Sequence, residues 1–251
     1  MWNPWRGCNE VSPGCKNCYM MAQCAEYDKD GHDFAINKTQ WNMPLKKTKG
    51  NAWKIPNDSI VEVCLTSDFF LEEADALRPQ VWEMIRQRPR VMFLIITKRT
   101  NRIHSSLPED WGDGYDNVII SATVENQEYA DKRLKEMLAV PMKHRGITVA
   151  PILDAVDLTD YLATGKFEQV SVGGERAGWN SRPCKAEWVK NIARQCYVTG
   201  VKFQFYQTGE VWIMGTERER VSSSAHQKYK ANHFEKLWLQ EFRSLGLKED
   251  I

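Results

Sequence analysis

Six apolar runs, each closing on hydrogen-bonding or charged residues, confine this chain to a small set of folds. Ser59 to Leu65, Arg90 to Ile96, Asn117 to Ser121, Ile147 to Ala150, Phe167 to Val172 and Val201 to Phe205 read as strands, short and nearly continuous in hydrophobicity. Apolar residues recur at helical spacing between them: Leu77, Val81, Met84 and Ile85 within 73–88, then Tyr129, Leu134 and Leu138 within 127–138. Trp188, Val189, Ile192 and Cys196 continue the pattern within 185–198, and a short helix is expected over 101–106. Pro79 marks either a kink or the true start of its helix. Strands of this kind, alternating with helices, build a parallel sheet covered on its outer face, either doubly wound or curling towards a barrel. No Gly-x-Gly-x-x-Gly follows the first strand and no phosphate-loop motif occurs, so the usual nucleotide folds lose support.

The strand ends favour the barrel. They read Thr66-Ser67-Asp68, Thr97-Lys98-Arg99, Thr123-Val124-Glu125-Asn126, Pro151-Ile152-Leu153-Asp154, Gly173-Gly174-Glu175-Arg176 and Gln207-Thr208-Gly209. A barrel gathers its chemistry at the C-terminal rim of its strands, and six polar ends in succession make such a rim. The expected fold is therefore α/β, a TIM-like partial (β/α) barrel over residues 1–212. Residues 213–251 should add a C-terminal loop and helix: 216–229 is polar, with Ser222-Ser223-Ser224 suggesting an exposed loop, and Phe234, Leu237, Trp238, Phe242 and Leu245 form a stripe that would dock on the barrel wall. The irregular stretch 28–56, rich in Lys, Asn, Gly and Trp, reads as a surface excursion that could serve as a lid.

Ahead of the strands lies a cysteine loop. Cys8, Cys15 and Cys18 fall at spacing C-x6-C-x2-C around the turn-forming Ser12-Pro13-Gly14, and Cys24 follows. Thiols crowded in this way point to a soft metal centre. Zinc in a structural site takes four ligands; an iron–sulfur cluster takes four in electron carriers and three where one iron stays open. If a helix runs over 15–27, Cys24 lies about 9 Å along its axis from Cys18 and faces elsewhere, leaving three cysteine ligands. A zinc held by all four cysteines is the plainer alternative. Disulfides are not expected, because no signal-peptide pattern precedes the cysteines and a chain of 251 residues does not need staples.

Composition sets outer bounds. The formal net charge of +1 announces no global basic field, and no apolar run approaches a membrane span. Ten tryptophans are many, and Trp2, Trp5, Trp41, Trp53, Trp111 and Trp179 lie outside the helical stretches, where they serve either packing or stacking on planar ligands. Seven cysteines without a secretion signal imply a reducing, cytoplasmic compartment.

Taken together, Trp2-Asn3-Pro4, Gly7-Cys8, Ser12 to Tyr19, Thr97-Lys98-Arg99, Val124-Glu125-Asn126, Gly173-Gly174-Glu175 and Gln207-Thr208-Gly209 resemble a family of phage and prophage proteins related to radical S-adenosylmethionine (radical SAM) enzymes. The resemblance spans about residues 2–212. The superfamily pattern is C-x3-C-x2-C with an aromatic residue before the third cysteine; here the first gap is six residues, and Asn17 precedes Cys18 with Tyr19 behind it. The resemblance implies a barrel of radical SAM type, three cysteines holding a [4Fe-4S] cluster, and S-adenosylmethionine chelated to the fourth iron. Reductive cleavage would yield a 5′-deoxyadenosyl radical that abstracts a substrate hydrogen, with flavodoxin or ferredoxin as reductant. It further implies Ser67 and Asp68 near the methionyl ammonium, Lys98 or Arg99 at its carboxylate, Ser121, Thr123, Glu125 and Asn126 near the ribose, and Glu175, Gln207 and Lys98 near substrate.

Each residue also has a plainer role: Lys98 and Glu125 as a rim ion pair, Gly173-Gly174 as a tight strand end, Asp68 as the cap of a helix near Glu72. For a phage-type enzyme in an infected or prophage-bearing bacterium, a nucleobase in DNA is the expected substrate, ahead of a free nucleotide, amino acid or peptide. Basic runs at Lys46 to Lys49, Arg86 to Arg90, Lys98 to Arg102 and Lys228 to Lys236 support it, together with the loop tryptophans. An electron-transfer protein or a zinc-stapled nucleic-acid-binding module are the alternatives from other classes.

Overall fold

The computed structural model describes residues 1–247. It opens with β1 (Trp5–Arg6), α1 (Tyr19–Ala25) and β2 (Ala35–Ile36). The regular alternation then runs β3 (Ser59–Val63), α2 (Arg78–Arg86), β4 (Val91–Thr97), β5 (Val118–Thr123), α3 (Gln127–Leu138) and β6 (His144–Val149). It continues with α4 (Thr159–Leu162), β7 (Gln169–Gly173), β8 (Cys184–Lys185), α5 (Ala186–Val198) and β9 (Lys202–Gln207). β10 (Val211–Met214), β11 (Glu217–Arg220) and α6 (Ser224–Ser244) complete the chain.

Six strands pair in parallel in the order β3-β4-β5-β6-β7-β9, and the sheet curls into a half-barrel carrying helices. Every neighbouring pair is parallel, so all six C-terminal ends lie along one rim. Burial alternates strictly along β4: Val91, Phe93, Ile95 and Thr97 are buried, while Met92, Leu94 and Ile96 are half-buried. The buried set joins one continuous core with Val81, Trp82 and Ile85 of α2, Leu134 and Met137 of α3, and Val189 and Ile192 of α5. The other set lines the half-open concave side. That alternation accounts for the apolar runs in the sequence, since even the concave positions of β4 carry hydrocarbon.

Several sequence expectations shift by local chemistry. α2 begins at Arg78 with Pro79 in its first turn, where the missing N–H costs nothing. The expected helix over 101–106 is two 3₁₀ turns, Thr100–Arg102 and His104–Ser106. α3 has the expected bounds, but its buried face is Ala130, Arg133, Leu134 and Met137, with Tyr129 and Leu138 only half-buried.

The stretch 28–56 is not a free lid. β2 pairs antiparallel with β1, Gln40 accepts from the Trp2 indole N–H at 2.8 Å through its backbone carbonyl, and buried Arg88 donates to the carbonyls of Pro44 and Ile55. Trp2 in turn bridges Val63 in parallel and so occupies part of the β3 edge, and the excursion is fastened to it through Gln40.

The C-terminal portion differs most. β10 and β11 form a hairpin where an exposed loop was expected, and β10 also pairs in parallel with β8, so the boundary expected at residue 212 falls inside a strand. α6 starts at Ser224 because Ser223 caps it, its hydroxyl accepting from His226 N–H at 3.4 Å. Phe234 and Trp238 then pack on Trp212 and Phe205 and Phe242 is buried, as the stripe implied, whereas Leu237 and Leu245 of that stripe are exposed. Among the described residues no helix is long and apolar enough to cross a membrane.

Candidate functional site

The cysteine loop lies across the rim of the half-barrel, and its anchors can be followed residue by residue. Trp5 is fully buried, packs on Phe69 with ring centroids 5.7 Å apart, and donates its indole N–H to the Asp68 carbonyl at 3.2 Å. Immediately beyond, the Ser67 hydroxyl donates to the Gly7 carbonyl. Gly7 adopts φ +89°, and a Cβ there would stand 2.5 Å from the Asp33 carbonyl oxygen, so both backbone and space demand glycine. Gly7→Ala should therefore shift Cys8 and lower stability by about 1 kcal/mol or more, read as a lower urea midpoint; an unchanged midpoint would mean the loop entry is not fixed as described.

Arg99, at the end of β4, reaches up to the loop. Its guanidinium donates to the Asn9 carbonyl at 2.9 Å, lies 3.7 Å from the Cys8 sulfur, and pairs with Asp68 at 3.4 Å. Burial pushes the Cys8 thiol up to about 11, with Arg99 pulling the other way. A metal bound there must displace a proton, and the guanidinium offsets part of the cost of the thiolate.

Further along, Gly14 N–H donates to Glu125 Oε1 at 3.2 Å, and Arg182 donates to the Pro13 carbonyl at 2.9 Å. Asn17 donates through its amide to Glu175 Oε2 and to the Asn180 carbonyl, both at 3.0 Å, and the Tyr19 hydroxyl donates to the Leu65 carbonyl at 2.5 Å. The loop is thus tied to the ends of β3, β4, β5 and β7.

Beneath these ties the rim residues are engaged in distinct ways. Asp68 is buried: Oδ1 accepts from Phe70 N–H and the Thr97 hydroxyl, and Oδ2 from Lys98 N–H at 3.0 Å beside Arg99. It caps no helix, since the turn at Glu72–Ala74 has no side-chain cap. Glu125 is completely buried and pairs with Arg133 of α3 at 2.7 Å, not with Lys98. Arg133 also donates to the Thr123 carbonyl. Asn126 caps α3, accepting from Tyr129 N–H at 3.1 Å. The Ser121 hydroxyl shares a 2.7 Å hydrogen bond with Thr148 on the concave side, next to Gly146.

Glu175 forms an ion pair with Arg182; burial alone would raise its carboxyl, but Arg182 and Asn17 together hold it below the usual range. Gln207 donates to the Gly174 carbonyl at 2.9 Å. The Gly173-Gly174 step is more than a strand end, because a Cβ on Gly174 would meet the Thr208 carbonyl oxygen at 2.1 Å. Lys98 is half-buried at the rim and has no ion-pair partner among the described residues.

The cysteines are all free thiols, and Cys8, Cys15 and Cys18 are half-buried. Cys24 sits on α1 with its sulfur 3.6 Å from the Met20 thioether. Among the described residues no group of three or more His, Cys, Asp or Glu is drawn together as for a single metal ion. That is the geometry of one ion; a cubane spreads its thiolates over separate irons and places no such demand on them. The soft donors, their partial burial and the adjacent guanidinium suit a cluster of net negative charge.

Sequence reasoning missed Arg133, Arg182 and Asn17 as partners of the rim. Arg133 did leave a trace, a charge on the buried face of α3. Part of the basic runs is spent within the chain: Arg86 pairs with Asp110 and Glu83, Arg90 with Asp58, Arg102 with Asp75 and Lys230 with Glu219, and Arg88 is buried, while Lys46, Lys47, Lys49, Lys228 and Lys236 form no ion pair among the described residues. Trp2, Trp5 and Trp111 are core residues, whereas Trp179 is 87 % exposed.

A family model described as "Protein of unknown function (DUF5131)" matches residues 1–237, and the chain belongs to that family. No curated protein and no solved structure matches it significantly.

Proposed function

We propose that this DUF5131 member is a radical SAM enzyme, with Cys8, Cys15 and Cys18 as ligands of a [4Fe-4S] cluster and S-adenosylmethionine bound beside it on the rim. The observation that carries this reading is the anchoring of a three-cysteine loop over the C-terminal ends of sequentially ordered parallel strands. When bound, the cluster and S-adenosylmethionine would supply one-electron cleavage and 5′-deoxyadenosyl radical chemistry, taking hydrogen from a substrate.

The chain's own residues divide the remaining work. Lys98, a rim cation with no ion-pair partner among the described residues, binds the methionyl carboxylate. Arg99 holds the loop and lowers the cost of the Cys8 thiolate. Asp68, with its oxygens engaged by Thr97, Phe70, Lys98 and Arg99, acts on the methionyl ammonium through the geometry it imposes, and Ser67 fixes the loop entry. Ser121 and Thr123 line the concave approach to the ribose, with Glu125 and Asn126 holding the β5 end in place. Glu175 and Gln207, on the β7–β9 side, face substrate. The reductant is a small electron carrier such as flavodoxin or ferredoxin, and the substrate is a nucleobase, in phage DNA or as a nucleotide, modified by isomerisation, hypermodification or repair.

Lys98→Met tests the cofactor assignment without touching a cluster ligand. Anaerobically reconstituted variant should keep its visible absorption and lose S-adenosylmethionine affinity by about ten-fold or more, the worth of one charge-assisted hydrogen bond. Equal affinity would remove Lys98 from the site; no binding to the cluster-loaded wild type would remove the reading itself.

A further inference from the structure

The loop between β7 and β8 holds an indole outward at its tip, and everything around that indole is fastened. Its base is closed by the Glu175–Arg182 ion pair, and Arg182 N–H adds a 2.8 Å hydrogen bond to Glu175. Ser181 bridges the loop, accepting from Ala177 N–H at 2.7 Å and donating to Glu210 at 2.9 Å. Asn17, the neighbour of Cys18, donates to the Asn180 carbonyl at 3.0 Å. A loop tied at three points presents Trp179 with 87 % of its surface in solvent. A large aromatic side chain left in water forgoes the gain of burial, so packing does not account for it.

The second observation is a cation. Arg220 of β11 places its guanidinium 4.0 Å from the centroid of the Trp179 ring. Alternation along β11 explains why: Glu219 turns to Lys230 of α6, which directs Arg218 and Arg220 to the other face of the hairpin. Arg86, Arg90, Arg102 and Lys230 of the basic runs are spent on ion pairs within the chain, whereas Arg220 forms none among the described residues. An open indole with a stacked guanidinium is chemistry for a planar ring bearing negative charge nearby, and a base with its phosphate has both.

We infer that Trp179 and Arg220 form a stacking platform for a nucleobase, one hydrogen bond removed from the cysteine loop. The base stacks on the indole and Arg220 meets the phosphate. This names the substrate class for the site proposed above, but the binding itself requires neither cluster nor reductant.

The test is a binding measurement on the full chain, made by quenching of tryptophan fluorescence and by calorimetry. The probes are a single-stranded oligodeoxynucleotide and thymidine monophosphate, with wild type, Trp179→Ala, Trp179→Phe and Arg220→Ala. Trp179→Ala should weaken binding about ten-fold, and Trp179→Phe should retain most of it. Arg220→Ala should weaken binding and lower the salt dependence of oligonucleotide affinity by about one unit of slope. Tight oligonucleotide with weak mononucleotide identifies a polynucleotide source; equal affinities identify the free nucleotide. All three variants are at exposed positions, and circular dichroism checks their folding. Binding undiminished in Trp179→Ala, or no binding of either probe, overturns the platform. Because 5′-deoxyadenosine formation is scored separately, either conclusion can fail without the other.

Discussion

Serine in place of any one of Cys8, Cys15 or Cys18 is expected to abolish incorporation of the proposed four-iron cluster, and Cys24→Ala to leave it intact. A serine hydroxyl is a hard, weakly acidic donor, so each replacement leaves one iron without its thiolate. Cys8, Cys15 and Cys18 belong to the segment fastened over the rim by Ser67, Arg99, Glu125 and Arg182. Cys24 lies within α1, and its thiol packs on Met20. Anaerobic reconstitution followed by iron and sulfide analysis and visible absorption scores all four variants. A Cys24→Ala protein that loses the cluster would move the account to a four-cysteine site, and a colourless wild type holding stoichiometric zinc would replace it with a structural metal.

The second large effect is on stability. Arg133→Met strands the Glu125 carboxylate, which is completely buried and keeps only Gly14 N–H as a hydrogen-bond donor. Removing one member of a buried pair typically costs about 3–5 kcal/mol, because the remaining charge is neither solvated nor paired. Arg133 also donates to the Thr123 carbonyl, so the change loosens the β5 end from α3. The double variant Glu125→Gln with Arg133→Met removes the stranded charge and should recover part of that loss. Urea denaturation measures both. A single variant as stable as wild type would show that Glu125 is not carrying a buried charge.

The strands were legible because their hydrophobicity is independent of context: in β4 both faces are apolar, one packed on helices and one lining the concave side. The rim was legible as a series of polar ends, since side chains carried that signal. What fastens the cysteine loop was not, because its acceptors are the backbone carbonyls of Gly7, Asn9 and Pro13, which leave no mark in a sequence. β11 escaped for a similar reason. Glu217-Arg218-Glu219-Arg220 is exposed throughout, and its strand character comes from pairing with β10, where Val211 and Trp212 are buried. The first turns of α6 bury Gln227 and Ala231, a face with little hydrophobic contrast, so the polar stretch up to 229 reads as loop although α6 begins at Ser224. Asn126 was read only as a ribose neighbour, although its place directly before the α3 stripe is where a helix cap belongs.

The central claim is reductive cleavage of S-adenosylmethionine at the cysteine loop. Cluster-loaded protein, incubated anaerobically with S-adenosylmethionine and dithionite, is quenched and its products separated by chromatography. The account predicts 5′-deoxyadenosine and methionine in equal amounts, both absent from the Cys15→Ser protein. Cluster-loaded, reduced protein that leaves S-adenosylmethionine intact would contradict it.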